Sequence, residues 1–119
     1  MKGLLLVFLG SGLGGCIRYL ISLGFRQAAP SVGFPWGTFT ANLLACLLAG
    51  FLAAKMHPQQ EDQRIFWLAG FCGGFSTFSA FSMESIQLIR SGLWLPALSY
   101  LLLSLVCGMA GVLIFLRST

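Results

Sequence analysis

Gly70-Phe71-Cys72-Gly73-Gly74-Phe75-Ser76-Thr77-Phe78-Ser79-Ala80-Phe81-Ser82 is the stretch on which the fold turns. It lies inside an apolar segment, 65–89, long enough to cross a bilayer, which takes roughly 20 mostly apolar residues. Gly70, Gly73 and Gly74 put three glycines within five residues. Glycine at that density weakens a helix and admits close backbone approach. Hydrocarbon offers no hydrogen bonds, so a broken helix survives there only where protein or a water-filled cavity covers the freed amides and carbonyls. The segment is therefore expected to be interrupted near its middle, at a protein interface and away from lipid. Phe75, Phe78 and Phe81 recur at three-residue steps, with Ser76, Thr77, Ser79 and Ser82 between them, which places the rings near one another on a helix. Hydroxyls donate hydrogen bonds, and the edge of a phenyl ring is the positive end of its quadrupole. Such a face is suited to line a path for a small anion.

Composition places this stretch in a membrane. The 119-residue chain is 57% hydrophobic and 8% charged, with mean hydropathy +0.88, whereas a soluble domain carries about 25% charged residues. The expected architecture is an all-α integral membrane protein with four spans, about 3–25, 36–54, 65–89 and 95–116, forming one membrane domain over 1–119. Four helices enclose little polar pathway alone, so transport would require an oligomer. The net charge of +4 comes without a basic run and reflects residues flanking spans, not nucleic-acid binding. Cys16, Cys46, Cys72 and Cys107 all fall in apolar segments, with no C-x-x-C pair for zinc; they are expected to be buried thiols acting as small hydrophobes.

On the same segment, Glu84 lies one turn past Phe81 and is the only acid in any span. It either lines the pathway or pairs near the surface with Arg90, about 9 Å away along a helix. Ser91-Gly92 makes a turn, and Pro96 opens the fourth span where proline is tolerated. Tyr100, Ser104 and Gly108 then share one helical face, a stripe that should meet protein. Upstream, residues 55–64 form the polar loop, with His57 a solvated side chain lacking metal-ligand companions. The second span contains Asn42, whose amide needs partners in hydrocarbon; it either bonds across helices or faces an anion path. Residues 26–35, with Pro30 and Pro35, form a loop. The first span carries Gly10, Gly12, Gly14 and Gly15, small residues that permit close packing. Leu13-Gly14-Gly15-Cys16 loosely resembles a lipoprotein cleavage box, but the apolar run continues past Cys16, so a span is expected instead of a targeting segment. Arg18 sits well inside this span and must snorkel, pair or line a wet cavity.

Charges in the connections set the topology. One side carries Lys2, Lys55, Arg64 and Arg117; the other carries Arg26 and Arg90, with Arg18 if it snorkels that way. So weak a positive-inside bias is compatible with insertion both ways round, from which an antiparallel homodimer follows naturally.

No Ser-His-Asp set, paired carboxylates or phosphate-binding loop is present, so an enzyme is not expected. The residues 70–82 with Glu84 resemble the signature of the Fluc/CrcB fluoride channels, and Gly14-Gly15-x-x-Arg18-Tyr19 and Gly37-Thr38-x-x-x-Asn42 resemble that family's first- and second-span motifs. The resemblance covers the whole chain. It implies passive export of fluoride, reducing cytoplasmic fluoride toxicity, by an antiparallel dual-topology dimer with two fluoride pores in a bacterial inner membrane. It implies that Phe78 and Phe81 are the pore phenylalanines, that Asn42 is the pore amide, and that Tyr100 and Ser104 continue the polar track. Thr77 and Ser79 are its hydroxyls, Glu84 lies near it and Arg18 at a vestibule. It further implies a structural sodium ion, Na+, at the dimer centre on backbone carbonyls that map onto Gly73 and Ser76. The chain departs from the family pattern Leu-Thr-Thr-Phe-Ser-Thr-Phe at Phe75, Ser76 and Ala80, and Gly108 stands where some members carry serine. Fluoride is small and strongly hydrated, and fixed amide, hydroxyl and ring-edge donors replace its water without a cation that would trap it. Two other readings compete: a small proton-coupled multidrug exporter, which needs a titratable mid-membrane carboxylate, and a structural membrane subunit whose phenylalanines only pack.

Overall fold

The computed structural model describes residues 1–28 and 33–117. In chain order they form α1 (Lys2–Ala28), α2 (Trp36–Lys55), α3 (Glu61–Arg64), a π-helix (Ile65–Cys72), α4 (Gly73–Phe75), α5 (Phe78–Arg90) and α6 (Trp94–Arg117), with no strand among the described residues. By length and apolar composition these make four candidate membrane spans, Lys2–Arg26, Trp36–Lys55, Glu61–Arg90 and Trp94–Arg117. The chain is a multi-pass membrane protein, and its many exposed large apolar side chains, such as Leu4, Phe8, Leu102 and Met109, are what a hydrocarbon solvent requires.

Two boundaries differ from the hydropathy reading. The first connection is shorter than 26–35, because α1 continues to Ala28; Pro30 and the rest of 29–32 lie outside the described residues. Nothing before Pro30 stops a helix, and proline disfavours helical geometry only in the residue just ahead of it. The third span begins at Glu61, where Glu61 and Asp62 fill the first turn and complement the exposed amides of a helix N-terminus. Asp62 also meets Lys2 at 2.6 Å across the surface, an exposed contact that solvent largely screens.

The third span is interrupted, but not at its glycines. Ser76 (ψ 159°) and Thr77 (φ −149°, ψ 120°) are extended, so the helix stops after Phe75 and restarts at Phe78. The Thr77 hydroxyl accepts from the Ala80 amide at 3.1 Å, an N-cap that makes the restart favourable. Gly70 and Gly74 serve packing instead. The π-helix and α4 lie directly on α1. A Cβ on Gly10 would overlap the Phe66 carbonyl, one on Gly14 the Phe71 carbonyl, and one on Gly74 the Ser11 carbonyl. These helices touch backbone to backbone, as small-residue seams in membranes do. A π-helix is rare and usually marks a functional segment.

On the other side α2 packs along α6, where a Cβ on Gly50 would come within 2.8 Å of the Val112 backbone. The core has two parts: Ala41, Ala45, Phe71, Cys72 and Phe75 between α1, α2 and the first arm of span three, and Phe81, Leu88, Ala97 and Tyr100 between α5 and α6. The break at 76–77 falls between them. The Ser91-Gly92 turn has Gly92 at φ +80°, a left-handed conformation that glycine adopts at no steric cost.

Candidate functional site

Breaking the span leaves two helix ends near one another with opposite character. The first arm ends in carbonyls that lack helical donors, and α5 begins with amides that lack helical acceptors. Asn42, reaching across from α2, staples the gap: its Oδ1 accepts from the Thr77 amide at 2.8 Å, and its Nδ2 donates to the Thr77 carbonyl at 3.3 Å. The side-chain amide has two N–H donors, so one remains for the space beside it. Arg18 donates from Nε to the Gly74 carbonyl at 3.2 Å, where a cation complements the negative end of the first arm. It is a paired residue at the helix break, not a snorkelling one.

The space beside Asn42 is a cleft of ≈ 250 Å³, open on one side. Asn42 and Cys46 line it from α2, Ser76, Thr77, Phe78 and Phe81 from the broken span, and Ser104 and Leu105 from α6. Phe78 is 78% exposed and Phe81 8% exposed, with ring centroids 5.8 Å apart. Phe81 is in turn 5.0 Å from the ring of Tyr100, which is fully buried. The wall of the cleft therefore combines two aromatic rings, hydroxyls, one amide, the Cys46 thiol and the Leu105 side chain, at the amide-rich end of α5.

Beyond Phe81 the polar groups continue. Tyr100 donates to Glu84 Oε1 at 2.9 Å, and the Thr38 hydroxyl donates to Oε2 at 3.0 Å. Of the two arrangements open to Glu84, the structure gives the one inside the helix bundle; Arg90 does not pair with it, since the Lys2–Asp62 contact is the only ion pair among the described residues. The Thr77 and Ser79 hydroxyls lie 3.2 Å apart, and Thr77 is largely committed to capping α5. Ser104 Oγ is buried without a protein partner.

The structure thus brings Asn42, Thr77, Phe78, Phe81 and Ser104 to one cleft and links Tyr100 and Glu84 to it through Phe81. Ser79 and Gly73 are exposed, Gly73 on the first arm; Arg18 reaches that arm's Gly74 carbonyl from α1, and Ser76 lies at the break itself. Phe75, 5% exposed against Phe71, belongs to the core. Sequence reasoning passed over Thr38 and Cys46. Both lie at four-residue steps from Asn42 on α2, one face of a helix, and that spacing was the available signal. Nor are the cysteines uniformly buried: Cys72 is, Cys46 and Cys107 are half-buried and Cys16 is exposed on the chain's surface. His57 is exposed in its loop, as expected.

Asn42→Ala is expected to lower both stability and flux. It leaves the Thr77 amide and carbonyl without their partners, about 1–3 kcal/mol for a buried unsatisfied group. Thermal unfolding of the detergent-solubilised protein reads this; a variant as stable as the wild type would show that the amide is not the staple.

Comparison with known proteins gives the family of the chain. The family model described as CrcB-like protein, Camphor Resistance (CrcB), matches residues 5–116. A relative from Phocaeicola vulgatus, described as "Fluoride-specific ion channel FluC", is 45% identical over 118 residues, covering 96% of this chain and 95% of its own. Relatives with the same description from Azobacteroides pseudotrichonymphae (38% over 117 residues, 96% and 93% covered) and Leptospira interrogans (44% over 110 residues, 90% and 86% covered) match equally broadly. With a cleft of donors at a broken third span and family-wide similarity from residue 5 to residue 116, the chain belongs to the CrcB-like family.

Proposed function

We propose that this chain is a fluoride-selective channel that lets fluoride leave the cytoplasm passively across a bacterial inner membrane. The observation that carries the reading is the cleft at the 76–77 break, where Asn42, Ser104 and the rings of Phe78 and Phe81 face one space. Its donors are fixed by the fold: Asn42 by two bonds to Thr77, Phe81 by Phe78 and Tyr100. Fixed donors offer a dehydrating ion replacement ligands with little reorganisation, while the absence of a cation in the lining keeps release fast. The amide end of α5 adds favourable potential for an anion. As a channel of this family, the chain is not an enzyme.

The working unit is an antiparallel, dual-topology homodimer. The cleft is open on one side, and a second copy would close it into a pore. The weak charge bias of the connections permits both orientations. Sodium fits the same assembly. Gly73 is exposed and Ser76 is turned out of the helix by its extended ψ of 159°, so their carbonyls are the kind of oxygen donors that hard cations take. No cluster of His, Cys, Asp or Glu competes among the described residues. Each chain would supply half of the donors, and a bound sodium would neutralise the carbonyl ends of the two first arms and tie the copies together.

Fluoride efflux from liposomes holding the purified protein, with chloride efflux run beside it, tests the function. Fast fluoride efflux without chloride leak is expected. A well-folded preparation that passes no fluoride, or passes both ions alike, would overturn the reading.

A further inference from the structure

Cys46 was expected to be inert filler, yet it occupies two walls at once. It lines the ≈ 250 Å³ cleft together with Phe78, Phe81 and Asn42. It also lines a small enclosed space of ≈ 20 Å³ with Phe39, Asn42, Leu43, Ser104 and Gly108. That volume suits one water-sized guest, for which roughly 10–15 Å³ is needed. Gly108 makes the room: a Cβ there would stand 3.3 Å from the Cys46 sulfur, so a larger residue at 108 would press on the thiol. The second observation is independent. Ser104 Oγ, on the same walls, is buried and has no protein partner, a state that is unfavourable unless a guest satisfies it.

We propose, on the basis of the channel reading above, that Cys46 is a pore-wall residue: its thiol, the Ser104 hydroxyl and the free N–H of Asn42 enclose a site for one water-sized guest on the ion path. Asn42 and Ser104 are oxygen and nitrogen donors that any small anion or water would use. The thiol is a weak donor and a soft one, and it gives this site a chemistry that a hydroxyl would not: affinity for thiophilic metals.

Mercuric chloride is the probe. The reaction is a substitution at mercury with no redox change. The S–H bond and one Hg–Cl bond break, an S–Hg bond forms, the proton goes to water, and chloride leaves with its electron pair. The product, Cys46–S–Hg–Cl, fills the cleft. In liposomes, wild-type fluoride efflux is expected to fall by about tenfold or more, since a single-file path fails when one wall site is filled. An excess of dithiothreitol should restore it. Cys46→Ser should conduct at its own measurable rate and be insensitive to the reagent. The variant with Cys16→Ala, Cys72→Ala and Cys107→Ala, which retains Cys46, should stay sensitive. Should that triple variant fail to fold, Cys46→Ser alone decides.

Peptide mass analysis of the treated protein provides a readout that does not depend on flux: mercury on the peptide holding Cys46, added more slowly when fluoride is present. A Cys46→Ser channel inhibited like the wild type, or a Cys46 peptide free of mercury, would overturn the proposal. Absence of fluoride efflux before any reagent is added would instead overturn the channel reading, and the fluoride-dependent labelling of Cys46 would still report on the site.

Discussion

Phe81→Ile is expected to cut fluoride efflux by roughly ten- to hundredfold. The ring is 8% exposed, with Phe78 on one side at 5.8 Å and Tyr100 on the other at 5.0 Å. Packing on both sides therefore holds the ring in place where it lines the cleft. Isoleucine keeps apolar bulk but has no quadrupole, so a dehydrated ion loses one favourable contact. Contacts to a charged group are worth about 1.5–3 kcal/mol, which as a barrier is about ten- to hundredfold in rate. The matched control is Phe71→Leu. Phe71 is buried equally well, at 7% exposed, but in the other core cluster with Ala41, Ala45 and Phe75. It should lose stability while keeping flux per folded protein. Equal loss of flux in both variants would mean that Phe81 is ordinary packing, as a structural subunit would have it. Efflux from Phe81→Ile at the wild-type rate would remove the ring from the pathway. A flux that depends on a proton gradient would favour the exporter reading, although Glu84 is tied to Tyr100 and Thr38.

Gly14→Ala is expected to be the most damaging single methyl in the chain. The added Cβ would overlap the Phe71 carbonyl and lie 2.8 Å from the Phe75 amide nitrogen. Both are backbone atoms of the arm that leads to the break, so neither can swing aside as a side chain does. Forced overpacking costs about 1–3 kcal/mol, occasionally more, and the rigid neighbours here put it at the upper end. The displacement would also move the arm against which Arg18 and Asn42 fix the break. Gly12→Ala supplies the contrast, since nothing in the chain lies within 4 Å of a Cβ there. It should be neutral or mildly stabilising, because alanine favours helix over glycine by about 1 kcal/mol. Melting temperatures and the yield of monodisperse protein in detergent would show the difference. Equal stability of the two variants would mean that the α1 seam is looser than its geometry indicates.

How much of this was legible beforehand depends on the element. The four spans were, because a bilayer sets a length that any long apolar run either meets or misses. The interruption of the third, near the middle of 65–89, was legible too; the break falls at Ser76 and Thr77, just past the glycines at 70, 73 and 74 that pointed to it. Gly70 and Gly74 turned out to be contact points for α1, a role that becomes visible only when a second backbone is present. The rings of Phe78 and Phe81 stood out by their three-residue spacing among hydroxyls, and the amide of Asn42 because it is costly in hydrocarbon. Cys46 and Thr38 did not, being small residues that membrane helices carry for many reasons.

By itself, the sequence determined the number of spans, the polar stripe along α6, and the family to which the chain belongs. Tertiary structure alone decided which groups meet: Asn42 with Thr77, Arg18 with Gly74, Glu84 with Tyr100 and Thr38. The reason lies in the solvent. In water, an apolar stripe marks the buried face of a helix; in lipid the outside is as apolar as the inside, and that label is lost. The faces are then assigned by how closely the backbones approach, and Gly10, Gly14, Gly50 and Gly74 set that approach only after the helices have crossed.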